Sequence, residues 1–228
     1  MNRKTGMQAF AWALGLGGSL SLATPLASAA SDVVISQIYG GGGQSGSPFN
    51  ADYVELFNRG TTPAALAGWS VQYASANGTT WTRTDLPAVS LAPGQYFLIQ
   101  QASGGSAGAL LPAADVTGTM NLANNAGKVA VVNNTTTLSG GCPSSSSIVD
   151  FIGYGNSATC FETASTGNLG VTTAAVRNSG GCMDSDNNPV DFGIITPNPR
   201  NTASSQNPCI PVGTEASTWG KVKASYRD

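Results

Sequence analysis

The sequence predicts an all-β sandwich, and three strand-like runs that alternate with turn residues carry this prediction. Alternate side chains of an extended strand face opposite sides, so Trp69, Val71 and Tyr73 share one face of the second run. Pro93-Gly94 is a turn signal directly before the apolar part of the third run. Short strands that turn back quickly are typical of a sandwich. The three runs are Asp52–Asn58, Leu66–Tyr73 and Leu91–Gln100.

Seven strands follow one another along the chain in this interpretation. An eighth, near Gly78–Arg83, would be a hairpin partner, because Asn77-Gly78 favours a tight turn. Gly- and Ser-rich stretches between the strands indicate loops rather than domain linkers. The seven predicted strands are Val33–Tyr39, Tyr53–Asn58, Trp69–Tyr73, Gln95–Gln101, Lys128–Asn133, Ile148–Tyr154 and Thr172–Arg177.

The order and spacing of these runs resemble the lamin-tail domain family in its secreted bacterial form. The resemblance rests on the strand Asp52–Asn58, on Leu66–Trp69 and on Leu91–Gly94, and it continues over residues 33–209. It implies an immunoglobulin-like β-sandwich without a catalytic motif of its own. Relatives of this type occur alone or beside extracellular nuclease domains, and a shared fold does not transfer a function. The later matching segments are Gly127–Val132, Ile148–Gly155 and Pro197–Asn201.

The first residues have the features of an export signal. Arg3 and Lys4 precede an apolar stretch, and Ala27-Ser28-Ala29 has the small-x-small form that signal peptidase accepts. We therefore expect residues 1–29 to be a cleaved signal peptide, residues 30–209 to be the sandwich, and the protein to be secreted. No later segment has the ~20 consecutive apolar residues that cross a bilayer, so we expect no transmembrane segment in the mature chain.

Residues 210–228 differ in character and form a predicted C-terminal tail. Ser217 is a suitable N-cap, and Trp219, Val222 and Tyr226 would share one face of a short helix. About ten residues alone make a marginal helix, so a loosely docked tail and a recognition peptide are both open interpretations.

The charge balance bears on possible partners. Without Arg3 and Lys4, eight Lys and Arg residues face twelve Asp and Glu residues, a net charge of −4. Phosphate contacts dominate sequence-independent nucleic-acid binding, and such binders present a basic surface. The composition therefore argues against a nucleic-acid partner.

Four cysteines fall in the second half of the chain, at Cys142, Cys160, Cys182 and Cys209. An even number in an exported chain indicates disulfides, and four cysteines allow three connectivities. We favour Cys142–Cys160 and Cys182–Cys209, because each pair closes a local loop. A zinc site is the competing interpretation, but Cys-x-x-Cys spacing is absent and the chain has no histidine.

The lack of histidine excludes Ser-His-Asp and Cys-His catalysis, His-based metalloprotease sites and nucleases with a His base. Paired carboxylates remain as possible hydrolytic groups, with Glu55 as the candidate acid. Because Glu55 lies in a strand that resembles the structural core of the lamin-tail family, a hydrogen-bonded or surface glutamate is the competing and favoured interpretation.

One polar segment has the spacing of a calcium-binding loop. Asp184, Asp186 and Asn188 place oxygen atoms at alternate positions, and Asp191 could close the shell. The segment is not an EF-hand, since Pro189 stands where that loop requires Gly. The competing interpretation is a polar turn whose Asp and Asn side chains cap backbone amides. Calcium is the one cofactor that the sequence suggests.

Aromatic residues could also supply a sugar-binding platform. Trp69 belongs to the core by its place in the resemblance, and the polar neighbours of Trp81 predict that it is the exposed one. Tyr73, Tyr96 and Phe97 complete the set, although aromatics at alternating strand positions are more often core.

Together these observations predict a secreted, non-catalytic binding or adhesion module with an extracellular ligand that is a protein, glycan or polymer. Its loops would carry recognition. The first alternative is an accessory, DNA-binding module of an extracellular nuclease system, and the second is a carboxylate-dependent hydrolase.

Overall fold

A computed structural model describes residues 32–209, and these residues form a β-sandwich with almost no helix. The predicted signal peptide and the predicted tail helix lie outside the described residues. A four-residue helix, α1, spans Asn188–Asp191, and a 3-10 turn spans Ser179–Gly181. The strands are β1 Val33–Tyr39, β2 Tyr53–Asn58, β3 Ala64–Ala65, β4 Ser70–Ser75, β5 Thr82–Asp85, β6 Ser90–Leu91, β7 Tyr96–Gln100, β8 Val116–Thr117, β9 Gly127–Val132, β10 Ile148–Tyr154, β11 Ala174–Arg177 and β12 Phe192–Ile195.

Two main sheets make up the sandwich. The larger has the order β12-β11-β1-β2-β7-β8, and the smaller has the order β10-β9-β4-β5. All neighbours pair antiparallel except β7 and β8. The all-β prediction is confirmed, and three of the predicted strands have the expected bounds: Val33–Tyr39, Tyr53–Asn58 and Ile148–Tyr154.

The main core lies between the sheets and follows the alternation of the strands. Val54 and Leu56 of β2 face Val129 and Val131 of β9 across it, with an exposed fraction of 0% for each. As expected, Trp69, Val71 and Tyr73 lie together on this inner side, although Trp69 is only partly buried.

The outer face of the smaller sheet is covered as well. Residues 133–147, here called the first arm, cross it and accept hydrogen bonds from the sheet: Gln72 donates to the Thr136 carbonyl at 2.9 Å. Trp81 lies beneath this arm, only 3% exposed, and its indole N–H donates to the Gly140 carbonyl at 3.0 Å. The prediction of an exposed Trp81 is therefore wrong, because the arm covers a position whose polar neighbours resemble those of a surface residue.

A second arm, residues 197–209, covers the outer face of the larger sheet. Arg200 reaches Glu55 of β2 at 2.8 Å and lies 3.7 Å from the centre of the Tyr96 ring. Phe57 and Tyr96 pack under the same arm, and burying an aromatic side chain of this kind contributes about 1.5–3 kcal/mol. The central strands β1, β2, β4 and β9 are thus buried on both faces, unlike those of a simple antiparallel sandwich with one wet face per sheet.

A disulfide ties each arm. Cys142 of the first arm bonds Cys160, and Cys209 at the end of the second arm bonds Cys182. The favoured pairing is therefore the one in the structure, and all four cysteines are used.

Candidate binding site around Arg177

Arg177 is the centre of a polar cluster at one edge of the sandwich. Its guanidinium is fully buried, and Nη2 donates to both carboxylate oxygens of Asp150 at 2.7 and 2.9 Å. Nε donates to the Ile35 carbonyl at 2.7 Å, and the ring of Phe192 lies 4.4 Å from the guanidinium carbon. Burial opposes the charge, but Asp150 and Asp184 outweigh it and raise the pKa of Arg177.

Two irregular strands make room for this cluster. The pairing of β1 with β2 shifts register between Ile35 and Gln37, and that of β10 with β9 shifts between Ile148 and Asp150. At this point β1 approaches β10, and the Ile35 amide donates to Asp150 at 2.5 Å. Bulges of this type redirect a side chain, and here one aims Asp150 at Arg177, the last residue of β11.

The loop between Cys182 and β12 completes the cluster. Asp184 accepts a hydrogen bond from Arg177 at 3.0 Å and forms an ion pair with Arg59 at 2.7 Å. Asp191 accepts hydrogen bonds from the Ser185 amide and hydroxyl at 2.9 and 2.7 Å. Burial alone would raise the pKa of Asp191, but these hydrogen bonds outweigh it and lower the pKa below its ordinary value.

The loop holds the four predicted calcium ligands, and three of them have other partners. Asp184 is paired with arginines, Asp191 caps backbone amides, and Asn188 is buried and hydrogen-bonded to the Gly153 amide and the Phe151 carbonyl. Asp186 is exposed, at a positive φ of 54°. These bonds match the competing interpretation, a polar turn. Calcium binding by this set stays a prediction.

The structure instead brings together three acids that are distant in the sequence. One carboxylate oxygen from each of Asp150, Glu162 and Asp184 lies within 4.8 Å of the others. Burial, followed by the nearby Asp150 charge, raises the pKa of Glu162 to about 8, so this carboxyl is mainly neutral at pH 7. Arg177 balances the other two acids, and the close set is thus an arginine-centred cluster.

The sequence pattern does not single out Arg177, Asp150 or Glu162 as site residues. Asp150 and Arg177 are charges inside predicted apolar strands, and a charge at such a place signals a buried partner. The sequence cannot name the partner, because Asp150 and Arg177 are 27 residues apart and Ile35 is 142 residues from Arg177.

A groove with a volume of about 300 Å³ lies next to Glu162. Its walls are residues 143–145 of the first arm and residues 160–162, and the Cys142–Cys160 disulfide connects the two. Ile148 and Phe151 of β10 form the floor. A larger cavity of about 570 Å³ lies on the other side of the cluster, beside Arg59 and the Cys182–Cys209 disulfide.

Glu55, the candidate catalytic acid, lines neither cavity. It has an exposed fraction of 0% and accepts hydrogen bonds from Ser36, Gln37 and Arg200. This is the hydrogen-bonded structural glutamate that the sequence favours.

A comparison with protein families decides what kind of domain this is. The Lamin Tail Domain model matches residues 27–156, more than half of the chain. The chain belongs to the lamin tail domain family. The lamin tail match includes β1 to β10 and therefore Asp150, but it ends before Cys160, β11 and the second arm. The Arg177 cluster thus joins the matched lamin tail sandwich to the segment that follows it.

Among curated proteins, none matches this lamin tail domain chain. Within residues 32–209, no helix has the length and apolar character needed to cross a membrane.

Proposed function

We propose that this lamin tail domain protein is an exported, non-catalytic binding module whose loops carry recognition. One observation supports this most directly: the central strands of both sheets are buried on their outer faces as well, in large part beneath the two arms. Loops and the cavities between them are then the surfaces left for a ligand. Two disulfides support export, because such bonds persist in oxidising compartments.

The state of the cations argues against the nuclease-accessory alternative. Residues 32–209 contain five Lys and Arg residues, and each has a partner within the fold. Arg59, Arg83, Arg177 and Arg200 pair with carboxylates, and Lys128 donates to the Gly78 and Gly141 carbonyls. Cations that are already paired within the fold contribute less to the release of counterions from DNA. In a salt-dependent mobility assay with duplex DNA, we expect no shift.

The setting of Glu55 argues against the hydrolase alternative. An acid that is 0% exposed and bonded to an arginine has no access to a substrate. Sedimentation of the mature protein with insoluble extracellular polymers tests the proposal, with release of reducing ends or phosphate measured in parallel. We expect retention without product. Product release that Glu55→Gln abolishes would establish the hydrolase instead.

A further inference from the structure

The groove beside Glu162 has the features of a built ligand site. It is an open groove of about 300 Å³, at the lower end of the volume range for small-molecule sites. The disulfide between Cys142 and Cys160 connects its two walls, so their separation is set before any ligand arrives. Such preorganisation lowers the entropic cost of binding.

The apolar side of the groove ends in an exposed ring. Phe161 is 42% exposed, whereas Phe151 beneath it is 6% exposed and packs against Trp81 with ring centres 6.0 Å apart. The floor is therefore fixed by the core, and the Phe161 ring is free to contact a ligand. A partly exposed aromatic beside a polar rim offers a flat apolar surface to a ring that carries C–H groups on its face.

The rim of the groove offers hydroxyl and carboxyl groups. Ser144 and Ser145 are exposed, and the Ser145 oxygen accepts from the Ser147 amide at 3.2 Å, which leaves its proton free to donate. Glu162 is held through Oε2 by the Asn188 side chain at 2.9 Å. Its Oε1 has no hydrogen-bond partner within residues 32–209, so this atom can form a hydrogen bond with a hydroxyl group of a ligand.

The charge of the lining selects among ligands. No Lys or Arg lines the groove, so phosphates, sulfates and nucleic acids find no counter-charge there. A single aromatic ring is not the cage that recognises a quaternary ammonium group. A ligand with an apolar face and several hydroxyl groups matches the lining on both counts.

We propose that this groove binds one ring of a neutral saccharide, with the sugar face on Phe161 and its hydroxyl groups on Ser144, Ser145 and Glu162. This inference rests on the proposed binding function and adds its ligand class. The ring can belong to a soluble sugar or to one unit of an insoluble polysaccharide, and the binding chemistry is the same.

Titration of the mature chain with neutral oligosaccharides built from glucose, galactose, mannose or N-acetylglucosamine tests the proposal. We expect one of these series to bind with a single site. Phe161→Ala should weaken that binding by about tenfold or more, the scale of one lost aromatic contact with its burial. Leu110→Ala is the matched control, since Leu110 is an 81% exposed apolar residue outside the groove, and it should leave binding within about twofold.

A competition experiment distinguishes a soluble sugar from a polysaccharide as the source of the ring. If free sugar releases the protein from the insoluble polysaccharide, the groove binds the same ring in both. If Phe161→Ala leaves binding to a polymer unchanged, the groove is not the binding site, although the proposed binding function stands. Binding of peptides or acidic glycans in place of neutral ones would overturn the ligand class. Failure to bind any extracellular polymer or sugar would overturn both.

Discussion

Arg177 shows how a single charge can organise one edge of the molecule. Removing a guanidinium from water costs several kcal/mol, and only close counter-charges with further hydrogen bonds offset that cost. Asp150, Asp184 and the Ile35 carbonyl provide these bonds at 2.7–3.0 Å. Because the cluster links β1, β10, β11 and the loop before β12, Arg177 does for this loop what a bound cation does in a calcium site.

Replacement of Arg177 tests this role. We expect Arg177→Met to lower the free energy of unfolding by about 3–5 kcal/mol, since Asp150 would remain buried without its partner. Urea unfolding followed by tryptophan fluorescence measures the change. The control is Arg83→Met, which breaks an ion pair with Asp85 whose side chains are 37% and 52% exposed. That variant should lose less than about 1 kcal/mol. Equal losses of unfolding free energy in the two variants would contradict the role of Arg177 as the residue that holds the cluster together.

Glu162 gives the stability a pH dependence. Its folded-state pKa of about 8 lies above the ordinary value of 4.5, so the folded state binds a proton that the unfolded state has lost. The resulting stabilisation is fully present below pH 4.5 and is lost as the pH rises towards 8. We expect the melting temperature to fall over this interval, and to fall less in Glu162→Gln. Parallel curves for the two proteins would show that Glu162 ionises normally.

At the scale of the elements, the two arms explain why a sheet buried on both faces carries polar residues. The second arm can lie flat because the turn before β7 is tight: Gly94 has φ +73°, and a Cβ there would come within 2.5 Å of the Pro208 nitrogen. The arm in turn supplies Arg200 to Glu55, which would otherwise be an unpaired buried carboxylate.

Removal of the disulfide at the end of the second arm tests how the arm is held. Cys182 and Cys209 are separated by 27 residues, and closing a loop of that length stabilises by about 3–4 kcal/mol in the chain-entropy model. In the Cys182→Ser/Cys209→Ser double variant we expect this loss, together with faster amide exchange in residues 197–209. Residues 133–147 should be unaffected, as the internal control. Undiminished protection of residues 197–209 would mean that packing alone holds the arm.

The hydrogen bonds within the loop before β12 lead to a prediction about calcium binding. Asp184 and Asp191 already accept hydrogen bonds within the fold. We therefore expect calcium to change the melting temperature by less than about 1 °C at about 10 mM, a concentration well above the dissociation constants of weak extracellular sites. A rise of several degrees that Asp191→Asn abolishes would instead establish the calcium site that the sequence suggests.

At the scale of the whole molecule, the sequence predicts what depends on neighbouring residues. The alternation in β2 and the turn residues around it are local, and the predicted bounds of β1, β2 and β10 agree with the structure. The sequence pattern does not predict β12, a four-residue strand that contains Gly193 and is recognisable only from its pairing with β11. The burial of Trp81 and the Asp150–Arg177 pair depend on contacts between segments that are distant in the sequence, so no local pattern predicts them.

Two disulfide-tied arms cover the central strands on opposite faces of the sandwich, and we propose that they leave recognition to the loops. Disulfide mapping by mass spectrometry of the natively folded protein tests this most directly. We expect two linked peptide pairs, one joining Cys142 to Cys160 and one joining Cys182 to Cys209. Free thiols at these positions, or a link between Cys142 or Cys160 and either of the other two cysteines, would contradict it.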